Sequence, residues 1–406
     1  MGKTIVIAGA GQAAAQAIQT LQAKGFDGRI ILVGEEPYVP YERPPLSKAY
    51  LAGDLPEEKL YFKKPEYYVE KGIDFRPKTT VTHIAPADRR VTLSDGTTLG
   101  YDQLLLATGS RVRRLTIPGH DLKGVHYLRS IDDVKGIQVE LKPSSRIVLV
   151  GAGYIGLEVA AVARKLGAQV TVLEMVDRVM ARVVAPVVSA FYDSVHREAG
   201  VDIRLNTGVV ALEGQDRVTS VVTDKGEHIP ADLVVVGIGI VPNSEIAAEA
   251  GLKIHPANKG VVVDEFCRTS DPNIFAAGDV TSHPNPFMGR EIRLESVQNA
   301  VSQGRTAALA MLGTPEPYGE VPWFWSDQYD LKLQIAGLSE PDDEVVVRGD
   351  PASRKFSVVY LRDGKFVAIN TINMLKDFLP AKKLIAEGRV VDKEKLANPD
   401  VALKEL

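Results

Sequence analysis

The sequence predicts an α/β fold: two doubly wound units of parallel strands, followed by a smaller α+β domain. Three observations carry that prediction. The run Ile5-Val-Ile-Ala-Gly-Ala-Gly11 returns as Ile147-Val-Leu-Val-Gly-Ala-Gly153, 142 residues further on. Each copy passes from branched apolar residues through a glycine turn into an Ala-rich helical stretch, and then into a second apolar run. The tail alternates apolar and polar residues on either side of Arg362-Asp-Gly364, a hairpin signal with a glycine turn.

In the first unit Ile5 to Ala8 reads as a buried parallel strand. Gly9, Gly11 and Ala14 fill a G-x-G-x-x-G/A turn, and Arg29-Ile-Ile-Leu-Val33 is the returning strand, with Glu35 just beyond it. In the second unit Gly151, Gly153 and Gly156 fill the same places, and Gln169-Val-Thr-Val-Leu173 ends at Glu174. Such a turn has a physical logic. Its first glycine makes the bend, the second lets backbone N–H groups approach a pyrophosphate, and the third lets helix and strand pack closely. The phosphates then rest on the positive end of the helix. The two acids follow their first glycines by 26 and 23 residues, near the spacing at which a carboxylate holds ribose hydroxyls.

Both units are Rossmann-like, so two dinucleotides are expected, FAD and a nicotinamide dinucleotide. Glu174 favours NADH, because a carboxylate there binds the 2′-hydroxyl and repels a 2′-phosphate. Arg178 and Arg182 follow closely enough to soften that preference.

Further along, Asn273 to Ala277 reads as a strand that leads to Asp279. Ser296 to Met311 reads as a helix with apolar Val297, Ala300, Val301, Ala307, Ala308 and Met311. The first unit is therefore discontinuous, residues 1–113 with 246–322. The second occupies 114–245 as an insert flanked by Ile117-Pro-Gly119 and Ile240-Val-Pro-Asn243. Residues 323–406 form the α+β domain and end in a Lys-rich helical segment.

Composition narrows the function. The 406 residues are 45% hydrophobic and 25% charged with net charge -4, and the interspersed charges leave no basic stripe for nucleic acid. No apolar run approaches the roughly 20 residues of a membrane helix, and Gly2-Lys3 leads straight into a strand. A cytoplasmic protein is expected. Cys267 is the single cysteine, which removes any dithiol pair and any thiolate-held zinc or iron–sulfur centre, and no metal is expected.

Four more segments, Glu42-Arg-Pro-Pro-Leu-Ser-Lys48, Leu106-Ala-Thr-Gly109, Ile274-Phe-Ala-Ala-Gly-Asp-Val280 and Glu295-Ser-Val-Gln-Asn299, resemble the FAD segments of glutathione-reductase-like flavoproteins. Gly153-Tyr-Ile-Gly-Leu-Glu158 and Pro322-Trp-Phe-Trp-Ser-Asp-Gln328 narrow the resemblance to the putidaredoxin reductase-like ferredoxin reductases, over essentially the whole chain. The resemblance implies FAD contacts from Gly9, Gly11, Ala13, Ala14, Glu35, Arg43, Lys48, Val81, Ala107, Thr108, Gly109, Arg129, Asp279, Ser296, Val297 and Trp325. It implies NAD contacts from Gly151, Gly153, Tyr154, Ile155, Gly156, Glu158, Glu174, Arg182 and Gly239. It brings Lys48 and Glu158 together beside the flavin as a positioning pair. The expected reaction passes hydride from NADH to FAD and then single electrons to a [2Fe-2S] ferredoxin that feeds a monooxygenase or dioxygenase. Ferredoxin is expected to dock transiently at a basic rim that includes Arg305, beside Trp325, on a monomer or weak dimer. Rubredoxin reduction or NADH oxidation by oxygen would use the same motifs. A signalling flavoprotein would need a targeting segment and a basic face, and neither is visible.

Overall fold

The computed structural model describes residues 2–406. By contacts the chain divides into two compact units. The first comprises Met1–Glu42, Glu57–Arg111 and Val241–Pro322; the second comprises Arg43–Pro56, Val112–Ile240 and Trp323–Leu406.

In the first unit five parallel strands stand in the order Ile274–Ala276, Gln103–Leu106, Thr4–Ala8, Arg29–Val33, Asp74–Arg76. Ile5, Val6 and Ile7 are fully buried in the central strand, as residues of a strand covered on both faces must be. Helix Gln12–Ala23 packs against helix Val297–Met311. Their close approach depends on Gly304, where an added Cβ would lie 2.4 Å from the Ala13 carbonyl oxygen. A three-stranded antiparallel sheet, Val81–Ala85, Arg90–Leu93 and Thr98–Gly100, sits in sequence between the third and fourth parallel strands.

The second unit repeats this plan. Its parallel order is Asp202–Arg204, Gln169–Leu173, Arg146–Val150, Leu233–Val236, Val125–Tyr127. It too inserts an antiparallel trio, Val209–Gly214, Val218–Thr223 and His228–Pro230. The internal repeat therefore extends well past the two glycine turns that announce it. The copies differ in the fifth strand, which precedes the second repeat but arrives at Ile274–Ala276 in the first, after the whole insert.

The same unit carries a five-stranded antiparallel sheet, ordered Trp323–Gln328, Leu331–Gly337, Lys365–Ile372, Lys355–Arg362, Glu344–Asp350. The expected hairpin lies within it. Asp363 and Gly364, at φ of 52° and 75°, form its two-residue turn, the left-handed geometry that matches strand twist. Helices Leu375–Ala386 and Lys393–Ala397 complete the α+β part. The tail is fastened by the fully buried Arg348, which pairs with Asp377 at 3.0 Å and donates to the carbonyls of Leu396, Pro399 and Val401. Among the described residues no helix is long and apolar enough to cross a membrane.

Candidate functional site

Each unit holds a glycine turn at the carboxyl end of its central strand. In the first unit Gly9 has φ of +105°, and a Cβ there would lie 2.2 Å from the Ala107 carbonyl oxygen. Gly11, at the start of helix Gln12–Ala23, has nothing within 4 Å of an added Cβ. Ala14 is sealed in the helix–sheet contact and Ala13 is nearly so. The three positions thus behave as bend, open approach and close packing, the arrangement that admits a pyrophosphate to free N–H groups at a helix start.

The first unit carries several of the residues expected at FAD, while Arg43, Lys48, Arg129 and Trp325 fall in the second. Glu35 is exposed just past strand Arg29–Val33. The Ala107-Thr108-Gly109 bend is clamped by Asn243: Thr108 Oγ1 donates to the Asn243 carbonyl at 2.8 Å, and Asn243 Nδ2 donates to the Thr108 carbonyl at 2.9 Å. Gly278, at φ of +87°, donates its N–H to the buried Gln303 Oε1. Asp279 follows it and accepts from Ser110 Oγ at 2.9 Å. Ser296 caps helix Val297–Met311 by accepting from the Asn299 N–H, so Val297 is its first residue. At the same helix start the buried Gln298 Oε1 and Asn299 Oδ1 find no donor among the described residues. Val81 is a core residue of this unit.

In the second unit Gly151 has φ of +103° and would place a Cβ 2.5 Å from the Gly237 carbonyl oxygen; a Cβ on Gly156 would lie 2.2 Å from that of Gly151. Gly153 meets nothing within 4 Å. Beside it Ile155 is 46% exposed on the first turn of helix Tyr154–Lys165, an apolar surface at the mouth of the turn. Glu174 reaches back to the turn: its carboxylate accepts from the Ala152 N–H at 2.7 Å and the Val176 N–H at 3.2 Å. Arg178 is committed to structure, donating to the carbonyls of Ala181 and Val184 and to Ser189 Oγ. Arg182 is exposed, and its Nη2 lies 3.8 Å from a Cβ built on Gly239.

Lys48 and Glu158 lie together in this unit, with Lys48 Nζ 2.7 Å from Glu158 Oε2. Glu158 is 3% exposed. It also accepts from the hydroxyls of Ser47 and Ser326, the latter at 2.6 Å on Oε1. One turn before Glu158, the Tyr154 ring packs at 4.6 Å on Phe324, and burial drives its phenol well above the ordinary range. Arg43 donates to the Arg129 carbonyl, while the N–H groups of Arg129 and Ser130 are held by Asp133 in a capping box. Trp323 and Trp325 stack with ring centres 5.5 Å apart, and Trp323 also meets Phe378 and Lys382.

Arg305, in the first unit, is half exposed but not a free charge, since it pairs with Glu316 at 2.5 Å. Cys267 is buried, and desolvation pushes its thiol far up. The residues that sequence reasoning passed over are Asn243, Ser47 and Ser326. All three lie inside segments already singled out, and period-2 alternation in 324–328 places Ser326 on the face of Phe324, whose ring meets Tyr154 one turn from Glu158.

Residues 3–304 match the family described as pyridine nucleotide-disulphide oxidoreductase, and residues 323–406 match the family described as reductase C-terminal. The chain is 46% identical over 404 residues to the 5,5'-dehydrodivanillate O-demethylase ferredoxin reductase subunit of Sphingobium sp. (strain NBRC 103272 / SYK-6), covering 99% of this chain and 97% of that one. It is 39% identical over 373 residues to a rubredoxin-NAD(+) reductase of Pseudomonas putida, covering 92% and 96%. Among solved structures it resembles the covalent putidaredoxin reductase–putidaredoxin complex with a TM-score of 0.96 at 42% identity, covering 99% of this chain and 97% of that one.

Proposed function

The chain belongs to the pyridine nucleotide-disulphide oxidoreductase family, in a branch with a reductase C-terminal domain, and from that premise we infer that it is an FAD-dependent NADH:ferredoxin oxidoreductase. The observation that carries this reading is the pair of glycine turns, each with an open second glycine, in a chain whose one thiol is sealed. Many flavoproteins built on two such units pass electrons to a dithiol. Here Cys267 has no partner cysteine, so electrons must leave for an external acceptor.

Bound FAD supplies the means to accept a hydride from the nicotinamide and to release its electrons singly. The protein's part is binding, orientation and electrostatics. The Gly9-x-Gly11 turn cradles one pyrophosphate, with Asp279 and the start of helix Val297–Met311 completing the FAD site. The positive end of that helix favours the negative charge that builds on a reduced flavin ring. The Gly151-x-Gly153 turn cradles the NADH pyrophosphate. Glu174 is fitted to the adenosine ribose by its place at the end of strand Gln169–Leu173, and the same carboxylate shapes the turn through the Ala152 N–H. Of the two arginines that follow Glu174, Arg178 is bound to carbonyls and Arg182 is left to attract a 2′-phosphate, so NADH is favoured over NADPH.

The acceptor is a small [2Fe-2S] ferredoxin, docking transiently, with Arg305 a candidate contact for it. The reductase of the putidaredoxin complex, so close in fold, supports this class of partner. The likeness to a rubredoxin reductase makes rubredoxin the second acceptor to try. Anaerobic stopped-flow decides between them: the yellow protein is reduced with NADH and then challenged with ferredoxin, rubredoxin and oxygen in turn. Fast transfer to ferredoxin is expected, and transfer to oxygen alone would sink the assignment.

A further inference from the structure

Glu158 is the end of a longer chain of buried polar groups. Ser326 Oγ, bound to Glu158 Oε1 at 2.6 Å, lies 3.1 Å from Gln328 Nε2. Gln328 Oε1 lies 2.9 Å from His196 Nε2, and His196 Nδ1 lies 3.2 Å from the Tyr329 hydroxyl. Ser326, Gln328 and His196 are all 1% exposed or less, whereas Tyr329 is 38% exposed. A hydrogen-bonded file therefore runs from the surface to the Lys48–Glu158 pair, through helix Pro186–Glu198 and strand Trp323–Gln328. Strand alternation is what builds it, since Phe324, Ser326 and Gln328 share one face while Trp323 and Trp325 take the other.

The proton order in the file is dictated from its inner end. Paired with Lys48, Glu158 is a carboxylate and can only accept, so Ser326 must donate to it. Ser326 Oγ must then accept from the Gln328 amide N–H, which turns the Gln328 carbonyl oxygen toward His196. That oxygen needs a donor, so His196 carries its proton on Nε2 and offers Nδ1 to the Tyr329 hydroxyl. Burial lowers the His196 imidazole below its ordinary value, in keeping with a neutral ring that has one donor and one acceptor. Every link donates toward Glu158. Reversing any one of the inner links leaves two donors or two acceptors face to face in a buried site, where an unmade hydrogen bond is costly.

We propose that Ser326, Gln328 and His196 are positioning residues for the flavin half-reaction: a one-way hydrogen-bond relay that orients the Glu158 carboxylate and keeps it the fixed counter-charge of Lys48. The proposal rests on the reading of the chain as an NADH-oxidising flavoprotein, and its test has one arm independent of that reading. In the FAD-bound protein, histidine side-chain ¹⁵N NMR, assigned by the signal lost in His196→Phe, is expected to show His196 as the Nε2–H tautomer. In Glu158→Gln, where the new amide can donate to Ser326, both tautomers are expected. An Nδ1–H tautomer in the parent protein would overturn the relay.

The second arm is a double-mutant cycle on flavin reduction by saturating NADH. Gln328→Met is expected to slow that step about tenfold in the parent, and less than about twofold when Glu158 is already glutamine, because the relay acts only through Glu158. Equal slowing in both backgrounds would reduce Gln328 to a core residue and overturn the proposal. Failure of NADH to bleach the parent flavin would count against the functional reading alone, since the tautomer is read without NADH.

Discussion

Alanine at Gly153 separates nucleotide binding from folding. The position has ordinary backbone angles, φ of -77° and ψ of -178°, and an added methyl meets nothing within 4 Å. Loss of chain entropy in the unfolded state favours alanine by about 0.4–1 kcal/mol, and the poorer fit of alanine at a helix N-cap opposes it by a similar amount. Stability should therefore stay within about 1 kcal/mol of the parent, or about 2–4 °C in Tm for a unit of this size. The methyl, however, fills the approach a pyrophosphate uses. Losing one charge-assisted hydrogen bond costs about 1.5–3 kcal/mol, so the Kd for NAD⁺ by calorimetry should rise roughly 10- to 150-fold. Gly156→Ala is the contrasting control. Its Cβ would sit 2.2 Å from the Gly151 carbonyl oxygen, an overlap that forces the backbone to move and costs about 1–3 kcal/mol. That variant should lose Tm as well as affinity. Parental affinity for NAD⁺ in a folded Gly153→Ala protein would refute the assignment of this turn to the nicotinamide cofactor.

Three further outcomes are expected. Glu174→Gln keeps one acceptor oxygen for two backbone N–H groups and loses the charge that repels a 2′-phosphate, so the NADH-over-NADPH ratio of kcat/KM should fall about tenfold or more; an unchanged ratio removes Glu174 as selector. Arg305→Glu places a second acid beside Glu316 and should slow ferredoxin reduction several-fold at low salt, while NADH-to-ferricyanide turnover holds; equal loss of both activities removes Arg305 from the docking face. His283 is 1% exposed, neither ring nitrogen has a hydrogen-bond partner among the described residues, and burial lowers it to about 4. Below pH 6.5 the unfolded chain takes up a proton that the native site refuses until about pH 4, so stability falls with pH across that window. Between pH 7 and pH 5 the loss should be about 2 kcal/mol, and His283→Gln should flatten the corresponding drop in Tm; an identical drop in parent and variant contradicts the buried neutral imidazole.

Much of this was legible in the chain because the cues are local. A glycine turn between a buried strand and a helix carries its own geometry, so the two cradles, the helix capped by Ser296 and the hairpin at Asp363-Gly364 could be read from short windows. The extent of the repeat was harder to see. The antiparallel trios at 81–100 and 209–230 share a topology and only short runs such as Asp88-Arg-Arg-Val-Thr92 and Asp216-Arg-Val-Thr219, and their short alternating strands carry little signal individually.

Side-chain partnership was the least visible layer, because it depends on how the chain folds back, over more than a hundred positions at Glu158 and His196 and over a few residues at Arg178 and Arg305. Nothing in Glu295-Ser-Val-Gln-Asn299 or Pro322-Trp-Phe-Trp-Ser-Asp-Gln328 says that Ser326 would hold Glu158 or that Gln328 would meet His196. The tryptophans drew attention there because they are rare and large, while the serine and glutamine that follow them do the hydrogen bonding. Arg178 and Arg182 look alike in the sequence, yet only the folded loop shows the first spent on carbonyls and the second facing solvent. Arg305 likewise reads as a free basic group until Glu316 is found against it.

The sequence by itself therefore determined the two dinucleotide cradles, the absence of a dithiol and the class of chemistry, since each follows from the covalent character of a few adjacent residues: glycine without a Cβ, a chain with one sulfhydryl. Which charges are spent, which are free and how Glu158 is held was decided only by the tertiary structure. Those properties depend on distance and burial, and the chain acquires both only when remote segments pack together.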